Sequence, residues 1–453
     1  MAIQTTNPFN NKVVKTFEEI SDAQLENKLA KAHESFQLWK ATGIKERARL
    51  LQKVADIMRT RKSELAALIT LEMGKLIAQS EGEIEMCASV YEYYATNGEA
   101  FLKDRPMDPK DGNAFVRLTP TGIILAVEPW NYPFNQVARL AAPNIVAGNV
   151  VVLKHASNVP QCAQMIEEIF REAGAADGIF TNLFLSAKRI AKLAEDKRIT
   201  GMSLTGSENA GSSLAEAAGK NLKKSVLELG GSDAFVVLDD ADIDLAVEKA
   251  VLGRFANMGQ ACTSSKRIIV LESVSEEFLA KFRAKIENLK VGDPMDRDTK
   301  IGPLSSEEAA QKIDKQVSET IAQGAKAIIG GKRIDREGAF FEFTILTEIE
   351  PGMTAYHEEL FGPVASYYKV KNEQEAIGLA NATNYGLGGS VFSKDIERAI
   401  RVAGQMDTGM VFINQSVASR PDLPFGGTKR SGYGRELSAL GIEEFMNKKL
   451  IRY

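Results

Sequence analysis

Three side chains of this 453-residue chain have the types that covalent carbonyl chemistry needs. Cys262 lies in FANMGQACTSSKR, after Gly259-Gln260 and before Lys266-Arg267. A free thiol has a pKa of roughly 8.5, and only a few per cent is ionised at neutral pH. A turn with free amides and a nearby Lys266 or Arg267 is expected to raise that share. Glu228, in VLELGGSD, ends an apolar run just ahead of Gly230-Gly231, where backbone can approach a ligand closely. A carboxylate in such a half-apolar place has its charged form disfavoured, which suits general-base work near neutrality. Asn131, in WNYPF, carries an amide that donates two hydrogen bonds without charge, as an oxyanion hole requires. Each has a plainer reading: a core thiol, a strand-end glutamate, a turn asparagine. Their joint occurrence favours chemistry.

Two further segments suit anion and sugar binding. LTGSENAG, Leu204 to Gly211, is a strand end, a Gly-Ser turn and a helix start, and free N–H groups there favour an anion. LKHASNVP puts Lys154 and Ser157 at another strand end, Lys154 placed to donate to ribose hydroxyls and Ser157 to face a phosphate. Alone, either segment reads equally as a surface turn. Arg139 directly precedes the apolar stretch LAAPNIVAGN, where an unpaired guanidinium is costly. A bidentate carboxylate partner, from the protein or from a substrate, is expected.

The elements that must position these residues alternate. The first hundred residues read as helices, with a capping box at Ser21-Asp22-Ala23-Gln24 and a stop at Gly74. Ala114 to Pro129 reads as two strands about Thr119-Pro120-Thr121-Gly122. GNVVVLKHAS, TNLFLS, ITGMSLTGS and KKSVLELGGS then begin as short apolar strands with helix-compatible segments between them, the rhythm of a parallel sheet whose ligand sits at the carboxyl ends. A second alternating block runs from about 233 to 413. The fold class is therefore α/β, with two interleaved domains. The net charge of −4 without a basic block argues against a nucleic-acid partner. No apolar run approaches the roughly 20 residues that cross a bilayer, and the start shows no secretory signal. Three scattered cysteines and three scattered histidines suggest neither a disulfide framework nor a metal site. A cytoplasmic protein is expected.

Taken together, PWNYP, KHASNVP, LTGS, LELGGSD, FANMGQAC, EELFGPV and PFGGTKRSGYGRE occur in the order found in the aldehyde dehydrogenase superfamily, and the chain resembles that family over nearly its whole length. LKHASN, LELGGSD and GRELSALGIEEF resemble most the short bacterial succinate-semialdehyde dehydrogenases. The resemblance implies a Rossmann-type cofactor domain (1–111 and 128–229), an α/β catalytic domain (230–422) and a small β oligomerisation arm (112–127 and 433–453). It implies that Cys262 attacks an aldehyde, that Asn131 and the Cys262 N–H hold the oxyanion, and that Glu228 activates water against the thioester. NAD or NADP would be held by Trp130, Lys154, Ser157, Thr205, Gly206, Ser207, Glu359 and Phe361. NADP is favoured, because NAD-preferring relatives often carry a glutamate where this chain has Ser157. Arg139 and Ser419 face the aldehyde channel in similar enzymes and would bind the distal carboxylate of succinate semialdehyde. The hairpin near Phe115 to Val127 and the tail from Leu450 resemble the arm of a homodimer or homotetramer. A coenzyme A-acylating enzyme is disfavoured by Glu228, and a non-catalytic protein on this fold by the retention of Cys262, Glu228 and Asn131 together.

Overall fold

A computed structural model describes residues 2–453. The capping box at Ser21 forms as expected: its Oγ accepts from the Gln24 N–H at 3.2 Å, while Gln24 Oε1 accepts from the Ser21 N–H at 2.8 Å. It opens the helix Asp22–Trp39, and Ile44–Thr60, Lys62–Met73 and Ile77–Phe101 follow. Gly74 ends the third of these at φ 76°, a left-handed angle that side chains with a Cβ resist. The all-helical expectation for this region fails at its start. Ile3–Asn7 and Lys12–Phe17 form an antiparallel hairpin, anchored by the Gln4 N–H on the Ser157 carbonyl and by Thr5 Oγ1 on buried Glu72. Those anchors come from distant residues, which local periodicity does not report.

Two largely parallel sheets carry the rest. The first has six strands in the order Gly432–Tyr433, Lys224–Glu228, Ile199–Thr205, Ile123–Glu128, Val150–His155 and Phe180–Asn182, only the first of them antiparallel. The second has seven, Lys326–Ile329, Thr344–Thr347, Val364–Val370, Arg267–Leu271, Ala234–Val237, Gly389–Phe392 and Phe412–Ile413. Each is sandwiched in its own apolar core: one gathers residues from Leu25 to Leu229 with a few from the C-terminal segment, the other residues from Ala234 to Met406.

The expected hairpin at Phe115 to Val127 does not form. Ala114–Pro120 pairs antiparallel with the tail strand Met446–Arg452 on one side and with Arg105–Met107 on the other. Ile123–Glu128, just beyond the turn, enters the six-stranded parallel sheet instead. Burial explains the split. Every residue of Ile123–Glu128 is buried, whereas Ala114–Pro120 is mostly half-exposed. A two-sided apolar strand belongs in a covered parallel sheet, a one-sided strand at a solvated edge. No helix among the described residues is long and apolar enough to cross a membrane.

Candidate active site

The carboxyl ends of the six-stranded sheet bring the expected residues together. Register pairs Glu128 with His155 and Val127 with Lys154 on one side, and Thr205 with Glu228 on the other. Glu128, Thr205 and Glu228 thus end three neighbouring strands, and all three are buried. The two Glu228 oxygens, the two Glu128 oxygens and the Thr205 hydroxyl have no hydrogen-bond partner in the protein. Buried polar atoms left without partners in one place mark where water or a ligand belongs.

Gly230 and Gly231 allow the close approach their position suggests. A Cβ on Gly230 would meet Glu359 Oε2 at 2.5 Å, and one on Gly231 would meet the Cys262 carbonyl at 2.6 Å. The residues approached are thus Glu359 and the Cys262 turn itself. On the opposite side, Gly426 (φ 151°) lies where a Cβ would come within 2.7 Å of Glu228 Oε1.

Cys262 is half-buried, and its N–H bonds to no main-chain carbonyl. Asn131 is 4% exposed, and its Nδ2 donates to the Gln260 carbonyl in the Cys262 turn at 3.0 Å. Lys266 is also buried, donates to the Ala261 and Cys262 carbonyls, both at 2.8 Å, and forms an ion pair with Glu359 Oε1 at 3.0 Å. Glu359 Oε1 accepts in addition from the Gly231 N–H at 3.0 Å. One ammonium therefore ties the nucleophile turn to the EELFGPV loop. Arg254, fully buried, reinforces the tie by donating to the carbonyls of Leu360, Gly362 and Val364 and, at 3.4 Å, of Gly259.

The rise in thiolate share expected from a nearby cation is outweighed by burial. Burial pushes the Cys262 thiol up to about 12, and the charges of Arg139 and Lys266, which pull it down, do not outweigh that desolvation. Arg267 is not among the cations that act on it: its guanidinium donates to the carbonyls of Ser232, Leu379 and Ala380. Burial likewise lifts Glu228 well above the usual carboxylate range, with repulsion from Glu436 adding to it and Arg139 opposing. Burial thus disfavours the charged form of the thiol and of the carboxyl alike.

Arg139 finds a protein carboxylate. Its helix, Asn135–Ala147, is buried on every side. The guanidinium Nε donates to Glu436 Oε2 at 2.6 Å, both residues being 3% exposed, and the cation lies 4.1 Å from the Phe425 ring centroid. Glu436 was visible in the motif PFGGTKRSGYGRE, but nothing in its spacing shows that it serves Arg139. The Ser419 hydroxyl is buried without a partner, and no hydrogen bond joins it to Arg139. Arg420 pairs with Asp422 at the surface, at 3.0 and 3.1 Å.

Other side chains could hold a nicotinamide dinucleotide. Lys154 is buried at a strand end, and the desolvation that lowers its pKa is opposed only by Glu19. Ser157 is half-buried. Ser207 caps the helix Glu208–Lys220, its Oγ accepting from the Ala210 N–H, while the Gly206 N–H is taken by the Glu228 carbonyl at 2.9 Å. Trp130 and Phe361 meet edge to face at 5.8 Å. Sugar hydroxyls, a pyrophosphate and a flat ring each find chemistry that fits them here, and the orphaned Thr205 hydroxyl lies on the same sheet end.

Comparison with known proteins gives the family. The aldehyde dehydrogenase family model matches residues 1–451, and the chain belongs to that family. Its relatives include the succinate-semialdehyde dehydrogenase (NADP(+)) of Deinococcus radiodurans, 48% identical over 99% of this chain and 94% of that protein. A probable succinate-semialdehyde dehydrogenase (NADP(+)) of Synechocystis is 46% identical over 100% of this chain and 99% of its own. The crystal structure of succinic semialdehyde dehydrogenase from Streptococcus pyogenes, in complex with NADP+ as the cofactor, superposes with a TM-score of 0.97 at 45% identity, covering 99% of both chains.

Proposed function

We propose that this enzyme oxidises succinate semialdehyde to succinate with NADP as the preferred hydride acceptor. The observation that carries the chemistry is the convergence of the Cys262 turn, the Asn131 amide and the unpartnered Glu228 carboxyl at one sheet end. The names borne by close relatives support the substrate and the cofactor.

Cys262 attacks the aldehyde carbon: the S–C bond forms and the thiol proton passes to bulk water. The Asn131 amide and the Cys262 N–H hold the oxygen as it becomes negative; losing one such donor typically slows turnover on the order of 10²–10³-fold. Nicotinamide held by these residues would supply hydride acceptance, which would leave Cys262 as a thioester. Glu228 then takes a proton from water as the water attacks the thioester carbon. The C–S bond breaks, the acid leaves and the thiol is restored with a proton. Lys154 and Glu359 would hold the two riboses, Thr205, Gly206 and Ser207 the pyrophosphate, and Trp130 and Phe361 the nicotinamide.

Ser157 supports NADP, since a hydroxyl can donate to a 2′-phosphate where a glutamate would repel it. A second reading, a broader semialdehyde or aliphatic aldehyde dehydrogenase, draws on the pairing of Arg139 with Glu436, which leaves a distal carboxylate to share that cation. Ser419, with its open hydroxyl, is the second proposed contact.

Initial rates with succinate semialdehyde, glutarate semialdehyde, butyraldehyde and benzaldehyde, each with NAD and NADP, test the assignment. The highest kcat/KM is expected for succinate semialdehyde with NADP, and Ser157→Glu is expected to invert the cofactor ratio. Equal efficiency across the aldehydes would select the broader reading, and an unmoved ratio in Ser157→Glu would remove Ser157 from the cofactor assignment. We also propose a cytoplasmic homodimer or homotetramer assembled through the sheet of Arg105–Met107, Ala114–Pro120 and Met446–Arg452. Its outer strands expose Met107 and Leu450, and open strand edges invite pairing. Light scattering of the purified enzyme gives the mass that decides.

A further inference from the structure

One fully buried ion pair lies outside the groups assigned to the reaction. Lys75 follows the left-handed Gly74, Glu83 belongs to the helix Ile77–Phe101, and neither side chain reaches solvent. Lys75 Nζ donates to Glu83 Oε2 and, at 2.9 Å, to the main-chain carbonyl of Asn131. The same ammonium lies 3.6 Å from the Tyr132 ring centroid. The other Glu83 oxygen accepts the N–H groups of Phe134 and Asn135 at 2.9 and 3.1 Å. Those are orphan donors at the start of Asn135–Ala147, a helix with no side-chain N-cap of its own. The pair therefore grips the WNYPFN segment at both ends. The carbonyl that Lys75 holds also accepts from Asn257 Nδ2 at 2.9 Å. Asn257 stands at φ 53° in the approach to Cys262, so one oxygen joins the two halves of the site.

A buried ion pair is a poor device for stability alone, because desolvating both charges offsets most of their attraction. Its partners here are the main-chain groups that set where the Asn131 side chain points.

We propose that Lys75 and Glu83 are positioning residues for Asn131, fixing its peptide so that the amide faces the Cys262 turn. The inference rests on Asn131 being the oxyanion donor. A displacement of about 1 Å in a catalytic group can slow a reaction on the order of 100-fold, so a small release of this peptide is enough to be measured.

The test is a double-mutant cycle read on the first turnover, as the burst of reduced cofactor in a stopped-flow instrument. Lys75→Met/Glu83→Gln removes the pair without stranding a charge, and Asn131→Ala removes the amide. Pair removal is expected to slow the burst about tenfold or more when Asn131 is present, and less than about twofold in the Asn131→Ala background. The KM for NADP is expected to stay within about twofold of the parent value. Equal slowing in both backgrounds overturns the inference, since general loosening of the core would act regardless of the amide. An undiminished burst on pair removal overturns it as well. A burst unaffected by Asn131→Ala alone would defeat the oxyanion assignment itself, and the inference with it. Glu83→Gln alone, which keeps size and an acceptor, carries the same cycle if the paired replacement does not fold.

Discussion

Arg139 illustrates how a residue can matter to a reaction through its field. It is the foremost charge pulling the Cys262 thiol down against burial, although its hydrogen bonds go to Glu436. Replacing it with leucine is expected to slow alkylation of Cys262 by iodoacetamide in the free enzyme, with no aldehyde present. Since the thiol titrates at about 12, the alkylation rate of the parent should climb roughly tenfold per pH unit from about pH 7 to about pH 9 without a plateau. A plateau below pH 9, or an unchanged rate in Arg139→Leu, would contradict this electrostatic assignment. Kinetics with a neutral aldehyde separate the field effect from carboxylate binding: the field acts on every aldehyde, carboxylate binding only on semialdehydes.

At the scale of elements, the turn after the strand Lys224–Glu228 and the helix Glu373–Asn381 predict opposite responses to the same substitution. Gly231→Ala places a Cβ at 2.6 Å from the Cys262 carbonyl, a main-chain atom that cannot swing aside. Activity is expected to fall on the order of 100-fold while the folded state persists. Gly378, inside that helix, has nothing within 4 Å of where an added methyl group would lie, and Gly378→Ala should raise stability by roughly 0.5–1 kcal/mol with unchanged kinetics. Thermal melts with steady-state rates check both. Much of this scaffold was legible in the sequence. The apolar segments ending at His155, Thr205 and Glu228 are parallel strands whose carboxyl ends hold the candidate site, as their rhythm indicates, whereas only Thr181 and Asn182 of TNLFLS lie in a strand, Phe180–Asn182. Illegible were features set by tertiary partners. Strand periodicity could not tell that Ala114–Pro120 and Ile123–Glu128 join different sheets, nor that polar-looking Lys12–Phe17 is a strand at all. Lys75 follows a helix stop and Glu83 lies inside a helix, and only the fold brings them to the Asn131 segment.

The whole molecule must accommodate the buried carboxyls gathered around Arg139. Glu128 is 2% exposed with both oxygens unpartnered, and burial, then the charge of Glu436, holds its pKa well above the usual carboxylate range. The folded chain thus keeps a proton that the unfolded chain gives up near the ordinary carboxylate pKa. Stability from this group is full below that value and is lost as pH rises through the folded-state value, at about 1.4 kcal/mol per pH unit within the window. Glu128→Gln has no proton to lose. The melting temperature of the variant minus that of the parent is therefore expected to grow as pH rises above the ordinary carboxylate range. A difference independent of pH would show that Glu128 titrates alike in both states.

The grip of Arg254 has a consequence for how such a protein can change over generations. Its guanidinium takes hold of Leu360, Gly362, Val364 and Gly259 by their peptide oxygens, which every amino acid supplies alike. The hold on the loop past Cys262 is thus indifferent to which side chains stand at positions 360 and 364, and only the core packing of buried Leu360 and Val364 restricts what can replace them.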